Sequence, residues 1–446
     1  MFYKILSSSE KKTILISKKS AIAKSYNDGS IITLSVGKKN KRLTLKITNR
    51  IEKDIIMLST DILNTLSIQE GIYYQLICSN KQIKIGPLIG LLMFTKKKQI
   101  KKEKLKKFLD YTLLYNNIRG ILCVFSLEGI NFNTKTVTGY FYNPNKKDWE
   151  KATLPFPDVI YRRVPISKNT LNTLKTITKN QIYNSLNFNK LDFWHIASSN
   201  KEISKHIPMT KVYTSINDVT DMLKNYKILY LKPINGTMAQ GLIRITKTKN
   251  GYSIQEKNAK VLLIFTSNKK AAAYIEKIKK NRNYLIQEGI DLLNFDKRYI
   301  DFRVIMQKDY HFNWQCIVII TCMGKIDGIC SNYNSGDDKY ISFESFFNKY
   351  ITFSKARIFQ KKQEIISLCE KACEILDKTG EHYADLGFDI GLDKNLKPWI
   401  FEINNRQHSH KLSLLLNDYD SYFRLKSYPI LYGTKISGFN IFHQQD

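Results

Sequence analysis

The chain is poor in several things, and each shortage excludes a class of protein. No run of apolar residues approaches the roughly 18–20 needed to cross a bilayer as a helix, so no membrane insertion is expected. The opening MFYKILSSSEKKTILI has no apolar h-region and no cleavage site, so no secretory leader is expected. Cysteine is sparse and odd in number, seven in all, and lacks zinc-ligand spacing; Cys369 and Cys373 stand one helical turn apart. A reduced, cytoplasmic protein is the natural expectation. Acidic residues are few, 39 against 71 basic ones, which leaves a formal charge of +32. Lysine dominates that excess, alongside abundant Ile, Asn and Tyr, as an AT-rich coding sequence would produce. Lysines scattered over the whole chain read as solvated surface and a general attraction for anions, and nucleic acid is not the expected partner. A Walker A loop is also missing, since no Gly-Lys-Ser/Thr triplet opens a helix.

What is present is enough apolar residue, 43%, to build sizeable cores over 446 residues. Residues 1–85 alternate in short β segments (KTILIS, SIITLSV, RLTLKI, YYQLICS) separated by Asn, Asp and Gly, and predict a small β-rich domain. GPLIGLLMF (86–94) and GILCVFSL (120–127) read as buried strands. The lysine tract between them carries Ile100, Leu105, Phe108, Leu109 and Leu113 at helical spacing and predicts a surface helix with a lysine face. Strand, helix, strand implies a parallel α/β unit. Further on, helices are expected near 216–225, 268–280 and 355–379, with strands dominating 228–307 and another strand at 313–324.

The segment GFDIGLDKNLKPWIFEIN (387–404) predicts a hairpin. A turn centred between Asn395 and Leu396 places Asp389 opposite Glu402, with Asn404 two residues on and on the same face. Two carboxylates across a ladder repel unless something positive lies between them. A hard cation, Mg²⁺ or Mn²⁺, takes such oxygens and keeps positions for phosphate and water. The other reading is an ordinary solvent-facing ribbon. Gly387 and Gly391, which flank Asp389 on its own face, favour the first by leaving room for phosphates.

Three other segments carry candidate chemistry. In LYLKPINGTMAQGLIRI (229–245), Lys232 lies within an apolar strand, where an ammonium is costly without an anion. The turn from Asn235 to Gly241 can aim backbone N–H groups at the same anion. A hairpin with a snorkelling lysine is the competing reading. YLIQEGIDLL (284–293) could offer backbone groups near Gln287, Glu288 and Gly289 to an adenine edge. KRYIDFRVIMQ (297–307) puts Asp301 and Arg303 on one strand face, and arginine suits phosphate by its planar fork. His408 and His410 follow the hairpin at a spacing of two and read as a polar loop beside a substrate pocket rather than as metal ligands. His195 and His206 read as structural.

Together, in this order and spacing, IGPLIGLL, FPDVIYRRVP, YLKPINGTMAQGLIRI, YLIQEGIDLL, DFRVIMQK and GFDIGLDKNLKPWIFEINN resemble the ATP-grasp superfamily, and most closely its endospore coat-associated YheC/YheD-like family. The likeness covers about three quarters of the chain, from residue 86 onward. It implies an α/β protein of α+β lobes. A pre-ATP-grasp α/β domain (86–185) would follow the β-rich N-terminal domain (1–85). An ATP-grasp central, or lid, lobe (186–290) and a C-terminal lobe with the metal site (291–446) would complete the chain. It implies that Lys232 contacts ATP phosphate, that Gly236, Thr237 and Gly241 belong to a loop covering the phosphates, and that Gln287, Glu288 and Ile290 form the adenine-side hinge. Asp301 and Arg303 would line the nucleotide site, with Lys232 and Arg303 stabilising the transferring phosphoryl group. Asp389, Glu402 and Asn404 would hold Mg²⁺ or Mn²⁺. Ser331 and Asn332 resemble a substrate-side loop. Phe193 stands where relatives usually carry a lysine. The activity implied is ATP-dependent joining of a carboxylate to an amine, with a spore-coat protein or peptide among the candidate substrates. The alternative is a nucleotide-binding or structural protein of spore-coat assembly without turnover.

Overall fold

The computed structural model describes residues 2–236, 239–257, 262–328, 339–406 and 408–442. Four β assemblies follow one another along the described chain. The first is a closed barrel of seven strands. Going round it they are Phe2–Ser8, Ile55–Ser59, Thr13–Ser17, Lys39–Thr48, Ile31–Val36, Gln82–Gly86 and Tyr73–Ser79. The last pairs antiparallel with the first and closes the ring, so no strand edge is left open. The period-two pattern of these segments is what fills the interior: Ile5, Ile14, Ile16, Leu34, Leu45, Ile56 and Leu58 are all fully buried.

The second sheet runs Asp148–Pro155, Thr136–Asn143, Ile121–Asn131, Leu88–Phe94, Val159–Arg162, Ile182–Tyr183. Its central strands Leu88–Phe94, Ile121–Asn131 and Val159–Arg162 are parallel and buried on both faces, which is why they read as continuous apolar runs. The lysine tract does not form the single helix its periodicity predicts. Short helical turns replace it, at Lys97–Gln99, Lys102–Lys106, Leu109–Thr112 and Tyr115–Ile118. Lysines four apart (Lys98 and Lys102, Lys102 and Lys106) repel along a helix face. Burying Leu105, Tyr111, Tyr115 and Ile118 against the sheet sets the path instead.

The third sheet is antiparallel: Thr210–Val212, Tyr284–Glu288, Ile228–Pro233, Ile243–Thr248, Gly251–Glu256, Leu263–Phe265. Helices Ile216–Asn225 and Asn268–Lys279 pack Val219, Leu223, Ala271 and Ile275 onto one face of it. The fourth runs Lys339–Ser342, Trp314–Met323, Arg298–Lys308, Asp385–Leu392, Pro398–Asn404, with Asn294–Phe295 paired to the start of Arg298–Lys308. Here the two faces differ by parity. Phe302, Val304, Met306, Leu386, Phe388 and Ile390 share a core with Ile365, Cys369, Cys373 and Leu376 of the long helix Lys355–Asp377. The alternate positions, Arg303, Asp385, Gly387 and Asp389 among them, face the other way. Tyr419–Ile436 closes the molecule as a helix against the second and fourth sheets, where the Tyr183 hydroxyl donates to the Pro429 carbonyl at 2.7 Å.

Candidate functional site

The hairpin forms, with its turn centred on Asn395 rather than between Asn395 and Leu396: Leu392 pairs with Pro398, Gly391 with Trp399 and Ile390 with Ile400, and a one-residue shift then brings in the expected pair. Asp389 lies directly opposite Glu402 and Gly387 opposite Asn404. The neighbouring strand places Arg303 opposite Asp389, so Arg303, Asp389 and Glu402 form one row across three strands. A bulge follows immediately, between Asp389 and Ile390, and re-aims the strand beyond that row.

Each carboxylate of the row has its own cation. Arg303 Nε donates to Asp389 Oδ1 at 2.6 Å, and Lys190 Nζ lies 3.3 Å from Glu402 Oε1. Asn404 Nδ2 is 3.4 Å from Asp389 Oδ2, and turning that amide over would present its oxygen instead. Burial pushes the Glu402 carboxyl above its usual range, and the Asp389 charge adds to that push against Lys190 and Lys232. Burial works against the Arg303 charge, but Asp389 beside it outweighs burial and holds the guanidinium firmly protonated. The side chains of Arg303, Asp389 and Glu402 remain 21%, 23% and 32% exposed, so the row lies at the floor of an open cleft.

The third sheet supplies the opposite wall. Lys232 Nζ lies 5.3 Å from the centre of the Phe401 ring, on the residue next to Glu402, and its amine donates to the Gln287 side-chain oxygen. Gln287 in turn donates to Thr210 Oγ1 at 3.0 Å. Lys190 spans the cleft, bonding the Gly236 carbonyl at 2.9 Å while facing Glu402. The cleft thus gathers two lysines, one arginine, two carboxylates and a carboxamide from four segments far apart in sequence. The donor set fits a hard divalent ion. Three side chains able to offer oxygen are adjacent and reachable from solvent, and the Glu402 carboxyl, raised in pKa by burial and further by Asp389, is one whose ionised form a dication would favour.

A match to the family described as "YheC/D like ATP-grasp" spans residues 179–436, more than half of the sequence. The chain belongs to this family. Among curated proteins it is 24% identical over 406 residues to endospore coat-associated protein YheD of Bacillus subtilis (strain 168), covering 86% of each chain. It is 23% identical over 296 residues to endospore coat-associated protein YheC of the same organism, covering 62% of this chain and 78% of that one. Among solved structures, an ATP-grasp ligase, PsnB, complexed with a minimal precursor aligns over 74% of this chain and 95% of its own at 11% identity and a TM-score of 0.43.

Within this ATP-grasp chain the other expected residues are placed as follows. Asp301 is one row along from Arg303, between Gly391 and Cys322. In the segment expected to form the hinge, Glu288 N–H donates to Met209 O at 2.9 Å and Gly289 N–H to Ile228 O at 2.8 Å, while the Glu288 carboxylate accepts from Met209 N. Those two donors are engaged within the sheet, and Ile290 follows half-buried beyond the strand. Gly241 takes a left-handed backbone (φ +78°) where an added Cβ would meet Tyr284 and Arg282. Thr237, Ser331 and Asn332 lie outside the described residues.

Two expectations are corrected. Gly387 and Gly391 do not leave room for phosphates. A Cβ on Gly387 would meet His408 Cβ at 2.6 Å, and one on Gly391 would meet the Phe401 ring at 2.4 Å and Leu292 at 2.8 Å, so these glycines admit protein side chains. Nor do His408 and His410 form a polar loop at a pocket. Both are buried, with Nε2 atoms 2.8 and 3.2 Å from the Asp385 carboxylate.

Lys190 was missed by sequence reasoning. Phe193, at the position flagged against a relative's lysine, packs into the core beside Phe188, and Lys190 one turn earlier holds the site. A signal was present. Asn189 caps the helix Lys190–Ser198, and a lysine at the first position of a helix sits at the positive end of the dipole, where cations are disfavoured. Such a lysine needs an anion close by.

Proposed function

We propose that the chain is an ATP-dependent carboxylate–amine ligase that uses Mg²⁺ or Mn²⁺ held by Asp389, Glu402 and Asn404. The observation that carries this is the in-register row of Arg303, Asp389 and Glu402 facing Lys232 and Lys190 across the cleft. In the reaction, a substrate carboxylate oxygen attacks the γ-phosphorus of ATP. The bond to the β-phosphate oxygen breaks and ADP leaves. An amine nitrogen then attacks the acyl carbon, the C–O bond to phosphate breaks, and the amine proton passes to the departing phosphate. Lys232 and Lys190 neutralise phosphate charge from the two walls, and Arg303 braces Asp389 while facing the transferring group. The chemistry supplied at the hairpin is charge neutralisation on the terminal phosphates. The Lys190 link between Gly236 and Glu402 supports a lid role for the third sheet, closing over nucleotide and excluding water. The names of the Bacillus subtilis relatives support work in spore-coat assembly, with a coat protein or peptide as one substrate.

Thermal unfolding with Mg·ATP, with ATP plus chelator, and with neither tests the reading. Saturating Mg·ATP is expected to stabilise the protein by about 2–3 kcal/mol at 100 times its Kd. The gain should shrink with chelator, and its metal-dependent part should vanish in Asp389→Ala and Glu402→Ala. ADP release on adding pooled carboxylate and amine acceptors completes the test. Stabilisation indifferent to metal, or no ADP from any pool, would remove the ligase assignment.

A further inference from the structure

On the face of the fourth sheet that carries Asp389, two more rows lead away from the cleft. Gly387 is next, paired with Ile305 and Asn404, and Asp385 follows, paired with Gln307. His408 lies directly on Gly387. Asp385 is fully buried and accepts from His408 Nε2 at 2.8 Å, from Gln307 Nε2 at 2.8 Å and from the Tyr161 hydroxyl; His410 Nε2 is 3.2 Å away.

The cation of this cluster comes from another sheet. Arg163 follows the strand Val159–Arg162 and reaches across. Its Nε donates to the Arg406 carbonyl at 2.7 Å and its Nη2 to the His408 carbonyl at 2.6 Å. Its Nη1 lies 3.4 Å from Asp385 Oδ2 and 3.0 Å from His410 Nε2. One planar fork therefore holds two backbone carbonyls just beyond Asn404 and the carboxylate that begins the strand of Asp389. A lysine could not make these contacts together.

Asp385, His408 and His410 have ligand atoms within 4.8 Å of one another, close enough to share a metal ion. Two observations set that aside. Arg163 already balances the one carboxylate of this cluster among the described residues, and a dication beside it would leave a large uncompensated charge in a sealed interior. His408 Nδ1, which a metal ligand would use to donate to an outer partner, has none among the described residues. Burial lowers the basicity of both imidazoles, His410 to about 3, so Arg163 is the resident cation.

We propose that Arg163 is a positioning residue for the metal ligands, reaching from the second sheet to clamp the open end of the hairpin that bears Asp389, Glu402 and Asn404. It acts at a distance. Asp389 lies four steps along the strand from Asp385, about 13 Å at the usual rise, so the effect passes through backbone and through His408 on Gly387. The proposal rests on the reading of those three residues as metal ligands.

The test is Mn²⁺ titration of the full chain at saturating ADP, followed by loss of the free-Mn²⁺ electron paramagnetic resonance signal. Metal-free ATP binding and the ligand-free unfolding midpoint are measured in parallel. Arg163→Lys and His408→Asn are each expected to raise half-saturation by Mn²⁺ about tenfold or more, with metal-free ATP affinity within about twofold of the parent. If one variant does not fold, the other carries the comparison. A lowered midpoint with unchanged Mn²⁺ affinity means a structural role only and overturns the proposal. So does about one transition-metal ion per purified parent chain that His410→Ala loses, which would make the cluster itself a metal site. No Mn²⁺ uptake by the parent, or parent-like uptake by Asp389→Ala, would instead show that the ligand assignment had failed, and the proposal with it.

Discussion

Two clusters on one sheet face use the same chemistry for opposite ends. At Asp389, an arginine and a carboxylate meet at 2.6 Å with about a fifth of each side chain exposed. At Asp385, an arginine and a carboxylate meet at 3.4 Å with the carboxylate sealed from solvent. Water can screen and replace the first pair, so its partners can be exchanged for a phosphate or a metal ion. The second is shut off from solvent, and Asp385 also accepts from His408, Gln307 and Tyr161, so its contacts stay within the protein and it serves as an anchor. Burial, not residue type, separates a site from a brace.

The comparison can be broken at four points. Asp385→Ala leaves Arg163 buried without its counter-charge and is expected to cost about 3–5 kcal/mol, read by urea denaturation. Gly387→Ala forces a Cβ to within 2.6 Å of His408 and should cost about 1–3 kcal/mol. It should weaken Mn²⁺ binding too, since it separates the two clusters physically. Asp389→Ala should change ligand-free stability by less than about 1 kcal/mol while abolishing metal-dependent stabilisation by ATP. If Asp389→Ala proves as destabilising as Asp385→Ala, the open and sealed sites are not different in kind.

The smallest effect is on pH. Glu402 has a raised pKa in the folded protein, so the native state holds its proton more tightly than the unfolded chain. The stability it contributes is present below its unfolded value and is lost as pH rises through the folded one. Metal binding needs the ionised form, so Mn²⁺ affinity should run the other way and fall as pH drops into that window. Lys190→Met removes the nearest opposing cation and should move the window upward, measurable by Mn²⁺ titration at successive pH values.

Much of this was legible in the sequence because it depends on local periodicity. Period two and the turn residues located the hairpin, and Asp389 does stand against Glu402, but a bulge beside Asp389 supplies the one-residue shift that the expected turn centre had assumed. The helices at Ile216–Asn225, Asn268–Lys279 and Lys355–Asp377 likewise fall where apolar spacing predicted them. The lysine tract failed for the complementary reason: its spacing was helical, but like charges and aromatic burial decided its path.

The sequence by itself determined the strands, the long helices, the hairpin and the charge of each candidate residue, since all of these follow from neighbours within a few positions. Only the tertiary structure decided that Lys190 rather than residue 193 enters the cleft, that the glycines beside Asp389 admit His408 and Phe401, and that Arg163 meets Asp385. Those outcomes turn on which side chains share a small volume across sheets, and on how much water is excluded from it. Neither is written in the spacing of residues along one segment.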